Sequence, residues 1–264
     1  MKKHLNFDYS QRDESSAPTL VFIHGLFGDM NNLGGIAKAF ADNYSLLRID
    51  LRNHGSSFHS DEMNYSVMAE DLLILIQTLN LHKVILIGHS MGGKTAMVFA
   101  DRYPEYVAGL VVIDIAPVSY HAHRHHDVFQ GLFAVQKSQV ATRQQAKTEM
   151  AKYINDESVQ QFLLKSFTTQ SPQRFRFNTQ VLFQHYVDIM DWQPVKVNLP
   201  TLFIKGGNSD YILPEYRNVI MEQFPHATAF VIAGAEHWVH AEKPASVIQA
   251  ISKFLSKIRN FEGK

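Results

Sequence analysis

A serine hydroxyl becomes a nucleophile near neutral pH only with a base to take its proton, an acid to orient that base, and N–H donors for the oxyanion that forms. Each of these has a candidate here. Ser90 lies in GHSMG at 88–92, between the apolar run KVILI and the helical segment MGGKTAMVFADRY; strand, G-x-S-x-G and helix in succession are the setting of a nucleophile elbow. The pentapeptide alone would arise by chance in on the order of one chain in ten of this length, with an idle turn serine as the alternative, so the partners decide. Two histidines follow a late strand in AFVIAGAEHWVHAEKP. His237 stands in the loop, as a mobile base would, and His240 lies closer to the next helix, where a structural role is expected. Two carboxylates compete to orient the base. Asp114 closes the apolar run GLVVI, so it is partly desolvated and needs a partner, whereas Asp210 ends TLFIKGGNSD among residues that also make ordinary turns. The backbone N–H of Met91, next after the serine, and that of Leu26 in FIHGLFG are the oxyanion donors this arrangement implies.

Such groups converge only if the strands of one sheet carry them to a common edge. Apolar runs at 19–23, 44–49, 83–88, 109–113, 201–205 and 228–232 alternate with helical segments near 31–42, 65–80, 91–102, 214–223 and 243–258. This predicts an α/β protein with a mostly parallel sheet flanked by helices, its strands buried on both faces. Gly88 and Gly92 are expected where strand and helix approach too closely for any Cβ. In the helix at 65–80, Val67, Leu72, Leu75, Ile76 and Leu79 are expected to face the sheet. The alternation stops at 117–197, where stretches such as HDVFQGLFAVQ and NTQVLFQHYVDIM are helical and no buried strand is evident. The organisation expected is a core of 1–116 and 198–264 with a helical cap insertion at 117–197.

Composition excludes several classes. Lys+Arg 25 against Asp+Glu 25 leaves no net field to gather nucleic acid or an anionic membrane surface. No apolar run approaches the ~18 residues of a membrane span, and no apolar segment follows the N-terminal lysines as in a secretory leader, so a cytoplasmic location is expected. The absence of cysteine removes disulfides, thiol nucleophiles and Cys-ligated zinc together. SYHAHRHHD at 119–127 is rich in histidine but has no partnering Cys, and it is not read as a metal centre. His121 and Arg124 within it are expected to border the substrate channel, with a solvated helix start as the alternative. Cap residues such as Phe129, Leu132, Phe133, Phe162, Phe167 and Phe183 pack the cap helices together, and some would line an acyl pocket. Arg124, Lys165, Arg174 and Arg176 are the cations available to the phosphates of a CoA ester, although scattered surface cations are the commoner explanation.

HGLFG at 24–28, DLRNHGSS at 50–57, GHSMGG at 88–93, VVIDIAPV at 111–118, GGNSDY at 206–211 and GAEHWVHAEKP at 234–244 coincide in one chain. Together they resemble the α/β-hydrolase superfamily over essentially its whole length. Within it, DIAPV, GGNS and HWVHAEKP look like the YbfF-type bacterial esterases and their abhydrolase-domain-11 relatives. The resemblance implies an α/β-hydrolase fold with a helical cap, and a serine esterase that needs no cofactor and acts on small carboxylic esters and on acyl-CoA thioesters. Carried over by position, Ser90 is the nucleophile, His237 the base, and the Leu26 and Met91 amides the oxyanion donors. The acid falls on Asp114, after the strand that precedes the cap; Asp210 stands at a position often not acidic in this subgroup. A serine at the elbow speaks against the alkyl-enzyme chemistry of dehalogenases and epoxide hydrolases, which attack with an aspartate there. Alternatives on the same triad are C–C bond hydrolysis of diketones and methyl-ester removal from a carrier-bound acid. A ligand-binding protein that merely keeps the fold is the alternative of another class, and intact Ser90 and His237 argue against it.

Overall fold

The computed structural model describes residues 4–12 and 17–262. In chain order the elements before the helical insertion are β1 (Phe7–Ser10), β2 (Thr19–Ile23), α1 (Gly34–Lys38), β3 (Leu46–Ile49), α2 (Tyr65–Thr78), β4 (Val84–His89), α3 (Met91–Arg102) and β5 (Val107–Ile113). The insertion carries α4 (His126–Ser138), α5 (Arg143–Met150), α6 (Glu157–Leu164), α7 (Thr179–Gln184) and α8 (Tyr186–Met190). The chain then returns to the sheet as β6 (Thr201–Gly206), α9 (Arg217–Gln223), β7 (Ala227–Ile232), α10 (Val239–Glu242) and α11 (Pro244–Glu262). The seven strands lie in the order β1-β3-β2-β4-β5-β6-β7, with β1 antiparallel to β3 and the other pairs parallel.

Alternation of side chains along each strand divides the core into two layers. Val21, Ile23, Leu47, Ile49, Leu86 and Val112 belong to the layer containing α2, α3 and the insertion, while Leu20, Phe22, Ile85, Ile87, Val111 and Ile113 pack with α1 and α11. Parallel strands in near register end together, pairing Ile23 with Gly88 and His89 with Ile113, so the loops that follow β2, β4, β5 and β6 emerge along one edge. No helix among the described residues is long and apolar enough to cross a membrane.

Several sequence expectations are corrected. The strand expected at 228–232 to be buried on both faces is the edge strand β7, where only Ile232 is buried and Val231 is 60% exposed. β1, with Phe7 and Tyr9 alternating with polar residues, is short and largely exposed, so it carries too little apolar signal to read. The helix expected at 31–42 shrinks to Gly34–Lys38, since two glycines open it and turns flank it. On α2 the buried face is Tyr65, Met68, Ala69, Leu72, Leu75 and Ile76, whereas Val67 and Leu79 are only half-buried. The helix expected from 243 begins at Pro244, after the separate turn of α10, and runs to Glu262.

The crowding at the elbow has a measurable consequence. A methyl group on Gly92 would lie 2.4 Å from the carbonyl oxygens of Ile23 and His24, and one on Gly88 would lie 2.3 Å from that of Gly92. Backbone cannot yield there as a flexible side chain would, so Gly92→Ala is expected to cost upwards of about 3 kcal/mol in stability, or to prevent folding. A thermal melt checks it.

Candidate active site

Ser90 joins β4 to α3 with φ 52° and ψ −122°. That backbone is one a non-glycine residue adopts only at a cost of about 1–3 kcal/mol, and the surroundings hold it. The Ser90 N–H donates to Ile113 O at 3.0 Å, and its carbonyl accepts the N–H groups of Gly93 and Lys94 at 2.8 and 3.1 Å. The loop after β7 brings His237 across, its Nε2 3.0 Å from Ser90 Oγ and its Nδ1 2.8 Å from Asp114 Oδ2. His89 Nε2, 3.0 Å from the His237 carbonyl, anchors that loop from the residue next to the serine.

Asp114 is fully buried and follows β5 with φ 52°. A carboxylate without solvent needs donors in its place. Here they are the Gly206 N–H at 2.8 Å on Oδ1, and the Ser209 hydroxyl and His237 ring on Oδ2. With Nδ1–H given to Asp114, the Nε2 lone pair faces the Ser90 hydroxyl, which is the tautomer a general base requires.

Asp210, the competing acid, is not part of this relay. It meets Arg124 Nη1 at 2.6 Å, and that guanidinium holds its carboxyl below the usual range. Arg124 lies over the Tyr211 ring at 4.4 Å, and Tyr211 stacks on the His237 ring at 3.7 Å with an interplanar angle of 16°. Arg124 is therefore one ring away from His237, and His121 lines an open cavity of about 200 Å³ with Ser119, Tyr120, His123, Tyr186 and Asp191. Two other histidines of the cluster meet Tyr186: His123 stacks on it at 4.3 Å, and His125 Nδ1 lies 2.7 Å from its hydroxyl. Among the described residues no group of three or more His, Cys, Asp or Glu is placed to hold a metal ion. Of the four cations considered for CoA phosphates, Arg124 meets Asp210 and Arg174 meets Gln139 and Thr169, while Lys165 and Arg176 are exposed.

The loop after β2 abuts the serine so closely that a Cβ on Gly25 would lie 3.2 Å from Ser90 Cβ. Among the described residues, neither the Leu26 nor the Met91 N–H donates to a protein partner. Two histidines that lie in the HGLFG and DLRNHGSS motifs, and to which the sequence assigns no role, brace this loop. His24 donates from Nδ1 to Gly25 O at 2.8 Å and accepts the Leu51 N–H at 3.0 Å. His54 donates to Arg52 O at 2.9 Å and accepts the Phe27 N–H at 3.2 Å. Burial keeps both rings neutral, pushing His54 down to about 3. Asp50 then ties DLRNHGSS to the loop by accepting the N–H groups of Met30 and Ser56 at 2.7 and 2.8 Å. The motif was visible in the sequence, but its role lies in contacts that spacing does not specify.

Residues 18–244 match the family model described as alpha/beta hydrolase fold. The chain is 43% identical to Esterase YbfF of Escherichia coli, covering 97% of this chain and all of that one. It is 36% identical to the mouse sn-1-specific diacylglycerol lipase ABHD11, over 92% of this chain and 82% of the relative. Among solved structures, a marine microorganism esterase superposes with a TM-score of 0.90 at 36% identity, covering 96% of this chain and 100% of that one.

Proposed function

The chain belongs to the α/β-hydrolase fold family, with YbfF-type esterases and ABHD11 lipases as its relatives, and is a carboxylic ester hydrolase; from that premise we propose that Ser90, His237 and Asp114 are its catalytic triad and that it works through an acyl-enzyme. The observation that carries this reading is the unbroken relay from Ser90 Oγ to His237 at 3.0 Å and on to Asp114 at 2.8 Å. As Ser90 Oγ attacks the ester carbonyl, its proton passes to His237 Nε2 and the carbonyl π pair becomes an oxyanion facing the Leu26 and Met91 N–H groups. The tetrahedral intermediate collapses, the C–O bond to the alcohol breaks, and His237 returns the proton to the departing oxygen. Water, deprotonated in turn by His237, attacks the acyl-enzyme; the acid leaves and Ser90 regains its proton. Asp114 stays ionised throughout, fixing the tautomer and stabilising the imidazolium.

The insertion acts as a cap in this reading, since it reaches the residues around the base: Arg124 over Tyr211, which stacks on His237, and Phe162 against Trp238, the next residue in the chain, at 5.0 Å. Acyl-CoA thioesters fall within the same chemistry, with Lys165 and Arg176 among the exposed cations on the cap. A panel of p-nitrophenyl esters, monoacyl and diacylglycerols, acyl-CoAs and diketones is the test. Hydrolysis of esters with diketones untouched is expected; turnover of diketones alone would replace this reading with C–C hydrolysis.

The oxyanion loop gives a further expectation. His54→Ala removes the acceptor of the Phe27 N–H beside Leu26, and should lower kcat by about tenfold with little change in KM, less than the ~10²–10³ lost when a donor itself is deleted. Steady-state kinetics on one ester decide it.

A further inference from the structure

Lys94 has no role in the chemistry above, yet it is among the largest fully buried side chains, 1% exposed, one helical turn after Ser90 on α3. Among the described residues no carboxylate forms an ion pair with it. Its ammonium donates to Val118 O at 2.8 Å, Asp191 O at 3.1 Å and Met190 O at 3.3 Å. It sits among the rings of Tyr120, Trp192 and Tyr65 at 4.9, 5.4 and 5.7 Å. Val118 is where the chain has just left the sheet for the insertion, and Met190 and Asp191 are where it comes back. One buried amine on the core thus holds both crossings.

We propose that Lys94 is a positioning residue that pins the two junctions of the helical insertion to the nucleophile helix and thereby sets the pose of the insertion over the active site. This rests on the reading of Ser90 and His237 as the reacting pair. The pose matters because Tyr120, over which the ammonium lies, donates from its hydroxyl to the Tyr211 carbonyl at 2.5 Å, and the Tyr211 ring is the one stacked on His237. The Lys94 Nζ, on a long stem with N–H groups free to turn, reaches three carbonyls that no shorter polar side chain would span, and the rings around it leave those carbonyls as its partners.

The pin has a pH dependence of determinate sign. Burial pushes Lys94 down to about 7, against the opposing pull of Asp191. The other titratable groups facing it, Tyr65 on α2 and Tyr120 on the outgoing junction, are pushed up by burial and stay neutral. A pinned state that binds fewer protons than one with Lys94 in water gains as pH rises from about 7 toward the ordinary lysine value, and loses on acidification.

Hydrogen exchange of the resting protein tests this on peptides covering the two junctions, 115–121 and 187–193, with β4 as the reference. In the parent, junction protection corrected for intrinsic exchange should rise by about tenfold or more between pH ~6 and pH ~8.5. Lys94→Met should lose protection at both junctions by a similar factor, leave β4 unchanged and lower kcat; Lys94→Arg, which keeps N–H donors at the end of a long stem, should recover both. Junctions as protected in Lys94→Met as in the parent, or parent protection that falls with rising pH, would overturn the pin. Should Lys94→Met fail to fold, the pH series on the parent decides alone. Exchange needs no turnover, so its failure leaves the catalytic reading of Ser90 standing, and a fully active Ser90→Ala would leave the pin.

Discussion

Asp114→Asn is expected to lower kcat by about 10⁴, the scale on which a triad fails when its orienting acid is neutralised and the wrong tautomer is stabilised. Asp114 accepts three hydrogen bonds with no solvent access, and Asn at that place would offer an NH₂ group where His237 Nδ1–H now donates. The ring would then turn its Nε2–H toward Ser90 and could no longer accept the hydroxyl proton. Asp210→Asn makes the contrast. Its side chain is 67% exposed and its partner is Arg124, an ion pair of a kind worth at most about 1 kcal/mol, so kcat should stay within about fivefold of the parent. Both variants are to be compared on the same ester after thermal melts establish that they fold. An Asp114→Asn enzyme within a few fold of the parent would remove Asp114 from the triad.

Ser90→Ala carries the larger effect: a loss of about 10⁶ in kcat, as in other serine hydrolases stripped of the nucleophile. His237→Ala should cost nearly as much, and the double variant no more than either single one. Residues that act as one unit give such non-additive losses, because once the proton relay is broken the remaining member has nothing to do. Additive losses would mean that Ser90 and His237 act in separate steps. What survives in all three variants is the contribution of binding and of the oxyanion donors.

Ser90 and His237 were legible because each stands just beyond a strong apolar strand, and Gly88 and Gly92 mark the close approach that the elbow needs. The choice between Asp114 and Asp210 was not legible from the residues themselves, since both follow strands that end on the same edge. Three-dimensional contact separates them: the Gly206 N–H and the Ser209 hydroxyl, the latter 95 residues away in sequence, converge on Asp114, while Arg124 draws Asp210 aside. The roles of Tyr211, Ser209, His54 and Lys94 were not legible for the same reason, since they rest on partners distant in sequence. The edge position of β7 was hidden because an apolar run looks alike whether one neighbour strand or two will pair with it.

Mass spectrometry after reaction with a fluorophosphonate tests the central assignment most directly, because the reagent reports the activated nucleophile itself whatever the natural ester is. The account predicts one phosphonyl adduct, on the peptide that contains Ser90, absent in Ser90→Ala and formed far more slowly in His237→Ala. An adduct on another residue, or full ester turnover by Ser90→Ala, would contradict it.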